Sequence, residues 1–241
     1  MTSFLIGGTV AVDAGAITRA LTLDEQRAIR HVIITHTHID HTSSLPFLIE
    51  NLFGNDGEPV SIYCTRSVLG AVRRHLFNND TWPDFSTIPN HTYPSVRFQV
   101  MEPELPFAIA TDDGALEITP VAVNHVVPTT GLLLRQRGSS LLFTSDTGPT
   151  ERAWEVANAA ADLAAVITEC SFPNRLQAVA DASLHLTPAT LAGELAKLHR
   201  DVTVYLYHFK PPYLEELRAE LAAATLPHPV TELVQDRTYT F

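Results

Sequence analysis

Short runs of apolar residues recur along the chain and are separated by polar segments. Runs such as "HVIIT", "VSIYC", "LAAVITE" and "VTVYLYH" have the length and the β-branched content of buried strands. Longer stretches such as "RSVLGAVRRHLF" and "PYLEELRAELAAA" place apolar residues three and four positions apart, as in amphipathic helices. This mixture predicts sheets covered by helices, which is the α/β class.

Several local signals in the N-terminal part locate individual elements. "SFLIG" and "TVAVDAG" predict a strand pair, and Thr22 with Glu25 has the spacing of a helix capping box. "SSLPFLIENLF" predicts a helix that tolerates Pro46 in its first turn. Thr65 is the expected N-cap of the helix that follows "VSIYC". Residues 78–94 are rich in Pro, Asn and aromatic residues, and we expect an ordered loop there.

The remaining elements form two groups. The middle of the chain predicts the strands "VRFQVME", "ALEITPVAV", "TGLLLRQ" and "SSLLFTSD", with a hairpin at "RQRGSS" between the last two. The C-terminal third alternates the helices "ERAWEVANAA", "PATLAGELAKLH" and "PYLEELRAELAAA" with the strands "LAAVITE" and "VTVYLYH". A chain of 241 residues suits one large domain, so we expect a single domain over residues 1–241.

Charge and composition narrow the classes of function. The chain has 27 acidic against 16 basic residues, a formal net charge of −11. Binding to long nucleic acid depends on Lys and Arg, so we expect no such partner, whereas bound metals could still attract a small anion. Cys64 and Cys170 stand far apart and predict two buried thiols, not a disulfide. No signal peptide and no membrane-spanning apolar run is visible, so we expect a soluble cytoplasmic protein without a membrane partner.

The segment "THTHIDH" directly follows the predicted strand "HVIIT" and places His36, His38, Asp40 and His41 within six residues. Imidazole and carboxylate ligands suit zinc, manganese or iron, and the absence of thiolates is typical of a catalytic site. One ion cannot easily take all four side chains, whereas two ions can. The pattern therefore predicts part of a site for two metal ions at the end of a strand.

Two ions need further ligands, and other His and Asp residues follow predicted strands in the same way. His125 follows "ITPVAVN", Asp146 follows "LLFTS", His208 follows "VTVYLY", and Asp13 follows "TVAV". This shared placement favours them as candidate site residues. His185, in "SLHLTP", precedes a helix, and its residue type leaves structural and functional roles equally open. The remaining histidines are expected to be surface or locally hydrogen-bonded residues: His31, His75, His91, His199 and His228.

Taken together, "THTHIDH", His125, "SDTG" and His208 resemble the ordered ligand motifs of the metallo-β-lactamase fold hydrolases. "LFNNDTWPDF", "SDTGPTERAW", "ECSFPNRL", "SLHLTP" and "HFKPPYLEE" further resemble the class II 3′,5′-cyclic-nucleotide phosphodiesterases. The resemblance runs from about Thr2 to about Glu220. It departs from the family at Ser44, where a glycine is usual, and the family usually has an extra strand before the segment matching "TSFLI".

This resemblance implies a fold and a role for each motif residue. The fold would be an αββα four-layer sandwich with two mixed sheets flanked by helices. Asp13 would steady the histidine loop without binding a metal ion itself. The implied ligands are His36, His38 and His125 for one ion, Asp40, His41 and His208 for the other, and Asp146 as a bridge between the two. The first choice for the two ions would be zinc, with Mn²⁺ or Fe²⁺ as alternatives. The family also suggests a homodimer.

The implied activity is hydrolysis of cyclic AMP or cyclic GMP to the 5′-monophosphate by a hydroxide that bridges the two metals. Asp40 would complete the coordination of the second ion and orient the nucleophile. His185 is our candidate for protonating the leaving 3′-oxygen, because related tRNA 3′-processing endonucleases carry a histidine at the corresponding place. Trp82 and Phe85 could stack on the base, although burial in a structural loop explains Trp82 at least as well.

Three alternatives stay open at this point. The same fold could act on tRNA or on phosphodiesters in general, although the acidic charge argues against tRNA. It could instead hydrolyse thioesters, lactones or β-lactams. A different class would be a metal-binding sensor without turnover, which would have no need of a bridged pair of ions.

Overall fold

A computed structural model describes residues 1–53 and 58–241. Over these residues the chain divides into two compact units. The N-terminal unit comprises Met1–Glu102 and Thr111–Asp113, and the C-terminal unit comprises Pro103–Ala110 and Gly114–Phe241. The expectation of a single domain over residues 1–241 stays a prediction.

A mixed sheet forms the centre of the N-terminal unit, with strand order β1-β2-β3-β4-β5. The β1 and β2 strands are antiparallel, and the following neighbours are parallel. The strands are β1 (Phe4–Ile6), β2 (Val10–Val12), β3 (His31–Ile33), β4 (Val60–Cys64) and β5 (Val96–Val100). The helices are α1 (Ile17–Ala20), α2 (Leu23–Ala28), α3 (Ile39–Thr42), α4 (Leu45–Leu52) and α5 (Arg66–His75).

Local capping explains where these helices begin. The Thr22 side chain accepts from the backbone of Glu25, whose carboxylate accepts from Thr22 N, so the predicted capping box opens α2. Pro46 lies in the first turn of α4, where its missing N–H costs nothing. The Thr65 hydroxyl accepts from Val68 N at the start of α5. All three sequence predictions are confirmed.

Apolar side chains from β3, β4 and α4 make the core of the N-terminal unit. Val32, Ile62, Leu45 and Leu48 are fully buried in one cluster. Burial of each such side chain contributes about 1.5–3 kcal/mol relative to exposure. Because this core fixes the ends of β3 and the start of α4, it fixes the loop between them.

A second mixed sheet forms the centre of the C-terminal unit, with strand order β12-β11-β10-β9-β8-β7-β6. Pairing is parallel from β12 to β9 and antiparallel from β9 to β7. The strands are β6 (Phe107–Thr111), β7 (Gly114–Ala122), β8 (Thr130–Gln136), β9 (Ser139–Phe143), β10 (Leu163–Glu169), β11 (Thr203–Tyr207) and β12 (Val230–Glu232). The helices are α6 (Arg152–Ala159), α7 (Gln177–Ser183), α8 (Pro188–Leu195) and α9 (Leu214–Ala223), with short 3₁₀ turns at Asn174–Leu176 and Pro211–Tyr213.

The buried indole of Trp154 on α6 lies in the core of the C-terminal unit. Its Nε1 donates to Oε2 of Glu194 on α8 at 2.8 Å, and the same oxygen accepts from Thr150 N at 2.9 Å. Lys197 Nζ lies 2.6 Å from Oε1 of Glu194. A buried carboxylate with every oxygen hydrogen-bonded stabilises the contact between these helices.

The α/β class and the two mixed sheets flanked by helices are confirmed. The hairpin between β8 and β9 is also as predicted, and its turn places Arg137 and Gly138 at positive φ. Cys64 and Cys170 are buried free thiols, as expected. The short elements α1, α3, α7, β6 and β12 were not predicted from the sequence. Within the described part of the chain, the helices are too short or too polar to cross a lipid bilayer.

Candidate metal centre

The histidine motif of the N-terminal unit occupies the loop after β3 and the short helix α3. His36 and His38 lie in the loop, and Asp40 and His41 lie in the single turn of α3. The rings of His36 and His41 are 4.1 Å apart between centroids, and those of His36 and His38 are 4.8 Å apart. His36 and His41 are fully buried. Three of the predicted ligand rings are thus gathered at one strand end.

Asp13 holds this loop from the end of β2. The carboxylate is fully buried, and its Oδ1 accepts from Thr35 N at 2.8 Å. Its Oδ2 accepts from the Thr35 hydroxyl at 2.8 Å and lies 2.7 Å from Nδ1 of His41. These contacts fix both the backbone of the loop and the orientation of one ring, which is how outer-shell carboxylates act at metal sites. The role of Asp13 at a bound metal stays a prediction.

Both buried rings use Nδ1 for contacts inside the protein. Nδ1 of His36 lies 3.0 Å from the Thr35 hydroxyl, and Nδ1 of His41 lies against Asp13. Nε2 is then the nitrogen that each ring would offer to a metal. Candidate ligand atoms of Asp13, His36 and His41 lie within 4.8 Å of one another. Because Asp13 already contacts Thr35 and His41, the donors that these two rings offer a metal are imidazole nitrogens, which suit the first-row metals expected from the sequence.

The backbone of α3 is held closely against the segment after β2. Asp40 O accepts from Thr2 N at 2.7 Å, and His41 O accepts from Ala14 N at 2.7 Å. A Cβ atom on Gly15 would stand 1.8 Å from Asp40 O. Only glycine allows this approach, so Gly15 determines how near α3 can come to β2.

The C-terminal unit gathers a second group of predicted residues. Asp146 follows β9, His208 follows β11, and His185 precedes α8. Candidate ligand atoms of these three residues lie within 4.8 Å of one another. Asp146 Oδ2 is 3.0 Å from His208 Nε2, and Oδ1 accepts from the hydroxyl of Tyr207 at 3.2 Å. Tyr207 was not predicted from the sequence.

His125 follows β7 and joins this group through ring and backbone contacts. Its Nδ1 lies 3.0 Å from the carbonyl oxygen of Leu184, and its ring centroid is 5.0 Å from that of His185. As with the rings of the N-terminal unit, Nδ1 has a protein partner and Nε2 would face a metal. All four strand-end candidates from the sequence therefore lie where the prediction put them, but their coordination of metal stays a prediction.

A buried glutamate that the sequence analysis missed holds His185. Glu169 is fully buried, and its Oε1 lies 2.6 Å from His185 Nδ1 and accepts from Thr147 N at 2.9 Å. Its Oε2 accepts from the hydroxyl of Ser171 at 2.5 Å. Glu169 is the last residue of β10, a position equivalent to the strand-end positions of the predicted His and Asp residues.

The chain passes through the left-handed region beside several of these side chains. Asp13, Ser145, Leu184 and His208 have φ angles of 58°, 57°, 52° and 66°. Each is a candidate site residue or directly precedes one. Backbone of this kind costs free energy for residues other than glycine and is concentrated at functional sites.

Trp82 and Phe85 lie in the predicted loop of the N-terminal unit. Phe85 is buried in the core cluster and its ring centroid is 5.8 Å from that of Phe53. Trp82 is partly buried, with its ring centroid 5.1 Å from that of Phe47. Packing thus accounts for Phe85, and Trp82 is the more accessible of the two. Base stacking by either ring stays a prediction.

Two of the other histidines, His31 and His228, have local contacts outside the candidate site. His31 is half-buried next to Tyr63, and burial lowers the pKa of its imidazole. Nε2 of His228 lies 2.9 Å from the carbonyl oxygen of Leu198. These contacts agree with the structural interpretation given to them from the sequence.

Relatives of the chain include a 3′,5′-cyclic-nucleotide phosphodiesterase and a ribonuclease Z. The chain is 28% identical over 215 residues to a 3′,5′-cyclic-nucleotide phosphodiesterase of Schizosaccharomyces pombe, with 80% of this chain covered. It spans 58% of the length of that relative. It is 26% identical to a ribonuclease Z of Geobacillus kaustophilus over an alignment 272 residues long, which covers 95% of this chain and 87% of the relative.

The fold and the family follow from two further comparisons. The structure of unliganded yeast PDE1 superimposes with a TM-score of 0.74 at 19% identity, over 88% of this chain and 69% of that chain. This likeness confirms the fold that the resemblance implied. The profile of the beta-lactamase superfamily domain matches residues 9–209, which is most of the sequence. The chain therefore belongs to the β-lactamase superfamily, in its metallo-β-lactamase fold branch.

Proposed function

We propose that this superfamily hydrolase is a dinuclear-metal phosphodiesterase that converts 3′,5′-cyclic nucleotides to 5′-monophosphates. The observation that carries the proposal is the pair of Glu169 and His185 beside Asp146 and His208. A histidine held by a buried carboxylate next to metal-type ligands suits a reaction in which a poor leaving group needs a proton. A binding protein without turnover has no use for this pair.

The donor set supports two divalent ions, with zinc the first choice and manganese or iron as alternatives. When bound, such ions would activate water and offset the negative charge on phosphoryl oxygens. We assign the ligands as the resemblance implies: His36, His38 and His125 to one ion, Asp40, His41 and His208 to the other, and Asp146 to both.

The chain's own residues would divide the remaining work of the reaction. Asp40 accepts a hydrogen bond from the attacking water and orients its oxygen toward phosphorus. The water gives up one of its two protons through the Asp40 carboxylate, and its oxygen bonds to phosphorus as the bond from phosphorus to the 3′-oxygen breaks. His185 gives its Nε2 proton to the departing 3′-oxygen, while Glu169 accepts from Nδ1–H and keeps the ring in position. The product is the 5′-monophosphate.

A cyclic nucleotide is favoured over RNA as substrate by two observations. The Schizosaccharomyces pombe relative is a cyclic-nucleotide phosphodiesterase, and the sequence segments "LFNNDTWPDF" and "ECSFPNRL" resemble that subfamily. The net charge of −11 is poorly suited to the many phosphate contacts of tRNA. The ribonuclease Z relative aligns over more of this chain, so processing of a tRNA 3′ end is the second candidate.

A substrate panel tests the proposal directly. Purified protein loaded with zinc or manganese would be assayed with cyclic AMP, cyclic GMP, a precursor tRNA and a thioester, and the products separated by chromatography. We expect 5′-AMP or 5′-GMP, and we expect Asp146→Asn to abolish its formation. Release of a tRNA trailer or a thiol without any nucleotide monophosphate would overturn the assignment.

A further inference from the structure

Lys210 lies two residues after His208, beyond the end of β11. Its Nζ atom is 2.9 Å from Nε2 of His208, and the same Nε2 is 3.0 Å from Oδ2 of Asp146. The lysine is partly buried. An ammonium group, an imidazole nitrogen and a carboxylate oxygen therefore follow one another at hydrogen-bond distances inside the C-terminal unit.

The backbone of Lys210 is held at both of its polar groups. Its N–H donates to the carbonyl oxygen of Ser171 at 3.3 Å, and its own carbonyl accepts from Tyr213 N at 2.9 Å. Ser171 is the residue whose hydroxyl donates to Glu169. The main chain is thus fixed, whereas the four-carbon side chain can move its ammonium by several ångströms.

The contact between Lys210 and His208 involves Nε2 of His208, which is the nitrogen that would bind a metal ion. In the tautomer that carries the proton on Nδ1, Nε2 of His208 has one lone pair, which can accept a hydrogen bond from the Lys210 ammonium or bind a metal ion, but not both at once. Two positive charges also repel each other strongly at the distance of a shared ligand. A metal at His208 and the present position of Lys210 therefore exclude each other.

We propose that Lys210 competes with a metal ion for Nε2 of His208 and, once displaced, binds a non-bridging phosphoryl oxygen of the substrate. The second half of this proposal rests on the proposed phosphodiesterase function, and the first half does not. A displaced ammonium remains close to the ligand group and can pair there with an anionic phosphate. Lys210 would then be a substrate-binding residue that also tunes the affinity of one metal.

Metal titration of Lys210→Met tests the competition without any substrate. The variant keeps the length of the side chain and loses its charge. Apo protein would be titrated with zinc or manganese against a chromophoric chelator. One of the two sites in the variant should bind metal about tenfold more tightly than in the wild type, because a competing charge-assisted hydrogen bond is lost. The other site should be unchanged. Equal affinities in the wild type and the variant would overturn the competition.

Amine labelling gives a second readout with an internal control. Lys197 and Lys210 are the only lysines in the sequence, and Lys197 Nζ is held by Thr150 O, Glu151 and Glu194. Acylation followed by peptide mass spectrometry should show the ratio of Lys210 to Lys197 labelling rising several-fold when metal is added. Adding inorganic phosphate should lower it again. A ratio that stays constant or falls with metal would contradict displacement.

Kinetics test the contact with phosphate. Lys210→Met should raise KM for the cyclic nucleotide by about tenfold with little change in kcat, and Lys210→Arg should largely restore KM because it retains the charge. An unchanged KM in Lys210→Met would remove the phosphate contact. If no cyclic nucleotide is hydrolysed at all, the proposed function fails, while the titration and the labelling still decide the competition.

Discussion

Nδ1 of His185 lies 2.6 Å from Oε1 of Glu169, a carboxylate that is fully buried at the end of β10. The glutamate also accepts hydrogen bonds from Thr147 N and the Ser171 hydroxyl. It is therefore fixed on several sides and in turn fixes one imidazole ring. We regard it as a positioning residue for His185.

Two substrates whose leaving groups differ in their need for a proton test the role of Glu169 and His185. Glu169→Gln should lower kcat for cyclic AMP about 100-fold, because a misplaced His185 no longer protonates the alkoxide. With bis(p-nitrophenyl) phosphate, nitrophenolate leaves without a proton and the loss should be small. His185→Ala should show the same selectivity. An equal loss on both substrates, at normal metal content, would indicate that Glu169 only supports the fold.

Asp13→Asn should weaken metal binding about 10- to 100-fold, because an amide is a poorer acceptor for His41 Nδ1–H and for Thr35. Metal content after dialysis against a weak chelator measures this. Asp162→Asn is the matched control, since Asp162 binds Arg135 and no histidine. Full metal content in Asp13→Asn would show that the histidine loop needs no carboxylate behind it.

Glu194→Ala should lower the free energy of unfolding by about 3 kcal/mol, because Trp154 Nε1 and Thr150 N lose their buried acceptor. Urea unfolding at neutral pH measures the change. Glu155→Ala removes an exposed ion pair with Arg152 and should cost less than about 1 kcal/mol. If the two variants unfold at the same urea concentration, the buried network contributes no more than the surface pair.

Thiol chemistry should report unfolding in this chain. Burial raises the pKa of the Cys64 thiol to about 12, and burial also raises the pKa of Cys170. Since the thiolate is the reactive form, neither residue should react appreciably with iodoacetamide at pH 8 in the folded protein. In urea both should react within minutes. Fast labelling of either cysteine without denaturant would mean that its surroundings open readily.

Strong local signals made part of the fold predictable. The capping box of Thr22 and Glu25 and the apolar run before His36 act within a few residues, so one sequence reveals them. The helix α7 buries only Ala180 and lacks an apolar periodicity, and β12 is a three-residue strand at a sheet edge. Such elements depend on tertiary contacts and leave little trace in sequence.

The residues of the candidate site were predictable where they follow the end of an apolar strand. Asp146 and His208 each follow an apolar strand and have the residue types of the expected ligands, histidine and aspartate. Glu169 occupies an equivalent place, but it was not predicted because glutamate is not among those residue types. Lys210 had no such signal, since its contact with His208 depends on the turn that follows β11.

The left-handed backbone at Ser145 and Leu184 affects which mutations the protein can accept. Each costs about 1 kcal/mol that glycine or asparagine would avoid. Selection for heat resistance alone should therefore enrich glycine at both positions, while selection for turnover should retain residues that restrain Asp146 and His185. In the loops that carry Asp146 and His185, the residues that favour stability therefore differ from those that favour activity.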